Sequence, residues 1–274
     1  LEKSNAQLEK RLRSKAEYKP RDTRKVFEDI GIAIILTESK NERSMSAISN
    51  WIETLKEAFI CEADTERSLA MAAYMKHNFS FMGLAAPLRK KIQSLHFESG
   101  KEVLDAHWRE AVKLLWEEDA REFQYTAMDL LLKYKRKLEP IDIHLLQELI
   151  RSKSWWDSVD FLAGTMVGLY FRKYPDERNL HMQNWDASQN MWLQRSILIF
   201  QLRYKDDTDV ALLFNYCHQY AASKEFFIRK AIGWALRELA KTQKEKVICF
   251  VNETNLSGLS KREALKHIRQ KISF

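Results

Sequence analysis

The chain is 274 residues long, with 45 Lys and Arg against 38 Asp and Glu, which leaves a formal charge of +7 and a pI near 9.1. That length allows one large core and asks for no second large domain, while the charge favours an anionic partner, nucleic acid above all. Three widely spaced cysteines (Cys61, Cys217, Cys249) without a C-x-x-C pair argue against a disulfide framework or zinc ribbon, and the longest apolar run, Ile30 to Leu36, is too short to cross a bilayer. With no secretory pattern at its start, the chain is expected to be soluble and to work in a reducing, cytoplasmic setting. Only seven Gly and four Pro punctuate it. Apolar residues three and four apart, among many Leu, Lys, Glu, Ala and Arg, predict an all-α fold.

Residues 1–25 hold nine Lys or Arg against four Asp or Glu, and so carry +5 of the +7. Leu1, Leu8 and Leu12 are their only large aliphatics, so they read as a basic arm or fraying helix; one heptad step is too little for a coiled coil. The chain begins on Leu, and Met45 reads as an alternative natural start. We expect a basic extension over 1–46 and one helical domain over 47–274.

In that domain Trp51, Leu55 and Phe59, then Leu69, Met71, Tyr74 and Met75 beyond the Glu62–Glu66 turn, predict two helices facing a core. Asn78 to Pro87 interrupts the pattern, and Pro87 suits the first turn of a helix carrying Arg89, Lys90 and Lys91. Basic residues at a helix start suit a phosphate, although such runs are as often a solvated face.

Ser152 to Asp160 reads S-K-S-W-W-D-S-V-D, a run of residue types that rank low as helix formers. Ser154 and Asp157 read as a capping box that starts a helix, on which Trp156 and Asp160, four apart, share a face. An indole beside a carboxylate suits a flat cation. A lone helical Trp is more often core, and Trp155 is assigned there. For Asp160 the plain alternatives are a surface carboxylate or an ion pair with Arg195.

An internal repeat runs beyond Gly100. Similar helical segments start at Phe123, Leu193 and Phe227, and the gaps of 70 and 34 residues predict a period near 35 with a further copy near Ser158. Helix pairs of that length read as a right-handed αα-superhelix, a solenoid of HEAT-like type whose concave groove binds a partner. Superposing the copies aligns Tyr125, Asp160, Arg195 and Arg229 along one wall, with Trp156 and Trp234 close by. Arg203, Lys205, Lys224, Arg229 and Arg237 extend a basic lining, and Ser260 to Glu263 reads as a second capping box opening a last, basic helix with Lys261 and Arg262. Seven scattered His form no i, i+4 pair, and neither H-E-x-x-H, G-x-G-x-x-G, a Walker A run nor G-x-S-x-G occurs. No metal or nucleotide cofactor is expected.

The runs Tyr74 to Phe79, Lys153 to Asp160, Trp192 to Arg195, Ser223 to Trp234 and Leu259 to Ile268 closely resemble the AlkD-type DNA alkylation repair proteins, over roughly residues 47–270. The resemblance implies a HEAT-like-repeat DNA glycosylase that releases cationic N3- and N7-alkylated purines from duplex DNA without swinging the base into a pocket. It places the catalytic carboxylate at Asp160, sugar-contacting aromatics at Trp156 and Trp234, an essential Arg at Arg195 that holds a phosphate and keeps Asp160 ionised, and a lesion-side Tyr at Tyr74. Arg89, Lys90, Lys153, Arg203, Lys224, Arg229, Arg237, Lys261 and Arg262 are the expected DNA contacts. A monomer without metal, cofactor or membrane partner follows, nucleoid-associated in a bacterium. A non-catalytic scaffold that binds DNA or protein is the alternative of a different class.

Overall fold

Apolar residues three and four apart recur along the sequence, and in the computed structural model, which describes residues 44–269, they form helices throughout. From residue 51 onward the described residues form one compact unit. Residues 1–43, with the basic stretch and its leucine step, lie outside the described residues.

The helices are α1 (44–61), α2 (Thr65–Tyr74), α3 (Ala86–Ser99), α4 (Lys101–Glu117), α5 (Arg121–Tyr134), α6 (Asp142–Arg151), α7 (Trp156–Phe161), α8 (Gly168–Lys173), α9 (Arg178–Ala187), α10 (Met191–Ile199), α11 (Val210–Gln219), α12 (Phe226–Leu239), α13 (Lys244–Glu253) and α14 (Gly258–Arg269). Among the described residues the only extended pairing is one isolated bridge between Ser80 and Ala120, so the fold is all-α. Amphipathic spacing accounts for the packing: α6 buries Ile143, Leu146, Leu149 and Ile150, three and four apart, and leaves Glu148 and Arg151 outward, while Asp142 at its start is buried against Arg109. No helix among the described residues is long and apolar enough to cross a membrane, and Cys61, Cys217 and Cys249 are free thiols.

The repeat expected from the sequence appears as a row of helices, α5, α7, α10, α12 and α14, each touching the next. The copies read at 123, 158, 193 and 227 fall on α5, α7, α10 and α12. Hydrogen bonds between layers share the same period. Trp185 Nε1 donates to Gln147 across 38 residues, Tyr204 Oη to the Gly168 carbonyl across 36, Arg121 to Asp157 across 36 and Arg195 to Asp160 across 35. One spacing repeated by unrelated residue types is what stacked, near-identical layers require.

Two ties fix the layers that carry α7. Arg121 is fully buried and donates to both Asp157 oxygens, to Ser158 Oγ and to the Lys153 carbonyl. Glu122, also buried, accepts from the backbone N–H groups of Met82, Gly83 and Leu84, and so anchors the connection before α3. Gly83 has φ +87°, and a Cβ there would lie 2.0 Å from the Asp64 carbonyl oxygen. α7 continues through a fully buried π-helical turn, Leu162–Val167, into α8, where Gly168 lets the Phe200 carbonyl approach within 2.6 Å of where a Cβ would stand.

Three local expectations are corrected. Ser154 does not cap α7: its Oγ donates back to the Ile150 carbonyl, the helix starts after extended Trp155, and Asp157 is held by Arg121. Ser257, not Ser260, caps α14, its Oγ accepting from the Ser260 N–H, while Ser260 Oγ donates to the Arg229 carbonyl. Among the described residues α2 buries none of its side chains; Leu69 and Tyr74 are exposed and Met75, just past its end, is buried. Removing Arg121 leaves a buried carboxylate unpaired, so Arg121→Ala is expected to cost about 3–5 kcal/mol. Urea denaturation checks it, and a loss as small as that of a surface pair, under about 1 kcal/mol, would contradict this role.

Candidate active-site cleft

The loop that delivers α7 is held from both sides. Trp116 Nε1 donates to the Ser152 carbonyl, Lys153 Nζ to the carbonyls of Glu117 and Glu118 at the end of α4, and Arg121 to the Lys153 carbonyl. Lys153 adopts φ +46°, and burial lowers its ammonium pKa. Its charge answers the exposed carbonyl end of a helix, so the DNA contact expected of it gives way to a structural one.

So anchored, α7 turns Trp156 and Asp160 into a cleft of about 400 Å³ that also takes in Arg195 from α10, Trp234 from α12 and Tyr74. The Asp160 carboxylate is gripped at both oxygens, by Arg195 Nε at 2.7 Å and Nη2 at 2.9 Å, while Nη1 donates at 2.6 Å to the Phe227 carbonyl. Arg195 is 4% exposed, and the Asp160 side chain 17%. The phosphate contact expected of Arg195 thus gives way to holding a carboxylate that still meets the cleft. Burial raises the Asp160 pKa above the usual carboxylate range, against the opposing pull of the Arg195 hydrogen bonds and charge. Arg195 therefore acts in the direction expected of it, favouring the ionised carboxylate, and limits the rise that burial causes.

Tyr74 is 68% exposed and meets Trp156 edge to face, ring centroids 6.0 Å apart. Trp155 is not core: it lines the same cleft, in T-shaped contact with Phe227 at 5.2 Å and Trp192 at 6.0 Å. The wall continues through Phe226 and Phe227, then Lys230, Arg237 and Glu263. Glu263 pairs with Lys230 at 2.9 Å and Arg237 at 2.7 Å, and the Lys230 hydrogen bond leads in lowering its pKa.

The superposition of copies holds for Asp160 and Arg195 and fails elsewhere. Tyr125 donates to Asp157, away from the cleft. Arg229 turns its guanidinium back to the Lys224 carbonyl, and Lys230 faces the cleft in its place. Of the other lining residues, Trp155 reads from sequence as core and Glu263 as part of a cap, Phe227 heads a repeat copy, and Lys76, Phe226 and Lys230 carry no signal that marks them for the cleft. Among the expected DNA contacts Arg89 is contradicted. It is 5% exposed, paired with Asp129 at 3.0 Å and bonded to Gln93, because residues 89, 93 and 97 form the inner face of α3. Lys90, Arg203, Lys224 and Arg262 are exposed, Lys261 half-buried, and Arg237 lines the cleft. Among the described residues no group of three or more His, Cys, Asp or Glu could hold a metal.

Fold and cleft together define a class: an all-α repeat protein whose helix row presents one arginine-held carboxylate among aromatic side chains. Comparison with known proteins narrows it. The sequence profile described as "DNA alkylation repair enzyme" matches residues 55–268, and the chain belongs to that family. A solved structure titled "Predicted DNA alkylation repair enzyme from Enterococcus faecalis" superposes with a TM-score of 0.68 at 30% identity, covering 75% of this chain and 96% of that one. No curated protein matches.

Carboxyl NMR of the folded protein is expected to place the Asp160 midpoint above the ordinary aspartate value of about 3.9. Arg195→Gln moves it higher still. A midpoint at or below the ordinary value would contradict the dominance of burial.

Proposed function

We propose that this family member is a DNA glycosylase that hydrolyses the N-glycosidic bond of cationic N3- and N7-alkylated purines in duplex DNA. The observation that carries the reading is Asp160, gripped at both oxygens by a buried arginine yet open to a cleft that Trp156 and Trp234 share. A purine alkylated at N3 or N7 is already a cation, so its departure needs no added proton. What the reaction needs is an anion beside C1′ as the sugar becomes oxocarbenium-like, and a water held for attack; Asp160 supplies both. Because that charge grows only on the way to the transition state, the carboxylate favours it over the bound substrate. The indoles of Trp156 and Trp234, with Tyr74 against the first, offer π faces to the cationic sugar.

Arg195 fixes the direction of both carboxylate lone-pair sets through its planar fork. Selectivity then comes from the lesion's own lability and from contacts to sugar and backbone, without extrusion of the base into a pocket. The reaction uses no metal or cofactor, and a monomer in the cytoplasm suffices.

Asp160→Asn is expected to bind duplex DNA nearly as well as the unsubstituted protein while release of N7-methylguanine falls about 10²–10³-fold, the scale seen when one pre-placed electrostatic group is removed. Undiminished release would remove Asp160 from this role. Release of N3-methyladenine in the presence of EDTA is expected to match release without it, and loss of activity on chelation would point to a metal-dependent reaction.

A further inference from the structure

Beyond the aromatic end of the cleft, Arg237 is shared with a second cavity of about 240 Å³ between α12, α13 and α14. Its polar lining is Arg237, Lys241 and Lys244, three cations, with the His267 imidazole beside them, against a floor of Ala240, Ala264 and Ile268. Among the described residues no carboxylate lines it. Glu263 meets Arg237 from the cleft side, and Glu238 pairs with Lys241 three residues on, at a half-exposed surface where such a pair contributes little and is readily exchanged.

The placement follows from helical spacing. Lys230, Trp234 and Arg237 lie at i, i+4 and i+7 on α12 and form one stripe, and Lys241 follows two residues past the helix end, in a turn closed by its own N–H on the Glu238 carbonyl. The stripe leads out of the aromatic cleft into the basic cavity. From Trp234 to Lys241, in the turn that follows α12, is seven residues, roughly 10 Å along the direction of the helix. A duplex advances about 3.4 Å per nucleotide along each strand, so strand and stripe running together bring a backbone phosphate about three nucleotides from the lesion over this cavity.

We propose that the Arg237, Lys241, Lys244 and His267 cavity is a phosphate-binding site that grips the DNA backbone about three nucleotides from the damaged base. This rests on the glycosylase reading for its register, though not for its charge. Apolar walls around the cations exclude competing water and strengthen each contact, and the site sets where the damaged sugar stops along the groove. The cavity also suits a free phosphate, and the test separates the two sources.

The full chain is titrated by fluorescence anisotropy against alkylated duplexes in which single phosphates, one to five nucleotides from the lesion on either side, are replaced by neutral methylphosphonates. Substitution near the third position is expected to weaken binding several-fold for the unsubstituted protein and to have no further effect on K241Q/K244Q. That variant is expected to bind the unmodified duplex about tenfold more weakly, with a salt slope shallower by roughly one. Thermal unfolding confirms that it is folded, since both lysines are exposed. Equal affinity and an equal salt slope for variant and unsubstituted protein overturn the proposal. So does perturbation of the Lys241 and His267 NMR signals by inorganic phosphate without any by duplex DNA. Binding needs no base release, so a protein that shows the positional effect yet frees no alkylpurine keeps this site and loses the glycosylase reading.

Discussion

A carboxylate and a guanidinium buried together at Asp160 and Arg195 set the terms for the rest of the cleft. Removing either charge from water is costly, and the mutual attraction offsets that only when geometry is good and the remaining donors are occupied. Both conditions hold: the pair is bidentate at 2.7 and 2.9 Å, and Arg195 spends its other terminal nitrogen on the Phe227 carbonyl. The last contact ties three successive helices of the row, α7, α10 and α12, into one unit. A carboxylate fixed in this way needs little reorganisation when positive charge develops beside it, which is the property an electrostatic catalyst uses.

The same constraint explains how much of the surrounding sequence serves support. The Ser152 to Trp155 loop is pinned by Trp116, Lys153 and Arg121, so α7 cannot rotate to release Asp160. Asp157, one turn before Asp160, is itself taken by Arg121, which gives the row two carboxylate–arginine pairs with near-equal chain spacing. One is sealed inside, and its neighbour opens on the cleft. A repeat architecture allows this division, because one interlayer contact can be copied and a single copy turned to chemistry.

The period of the fold was legible because several interlayer contacts recur at separations of 35 to 38 residues, and the Asp160 and Arg195 copies fell in register. Rotation of individual helices was not. Around α12 a one-residue error turns a side chain by about 100°, enough to exchange Arg229 for Lys230. What sets that rotation is Gly233, where a Cβ would come within 2.4 Å of the Glu263 Cβ, a close approach visible only once α14 is in place. Arg89 was misread beside Lys90 and Lys91, although its spacing to Gln93 and Phe97 places it on an inner face. Both apparent capping boxes failed for one reason: Asp157 and Glu263 are claimed by cations from other layers, and short-range pattern reading cannot see such partners.

The central claim is that a buried, arginine-held Asp160 acts as the ionised group in base release. Its most direct test is the pH dependence of single-turnover release of N3-methyladenine from duplex DNA, corrected for spontaneous loss. Because burial raises the carboxyl pKa, the reactive carboxylate form is lost as pH falls. The rate should therefore decline on acidification with a midpoint above about 3.9, the ordinary aspartate value. Release no faster than the spontaneous reaction, or a rate that stays level through that range, would contradict it.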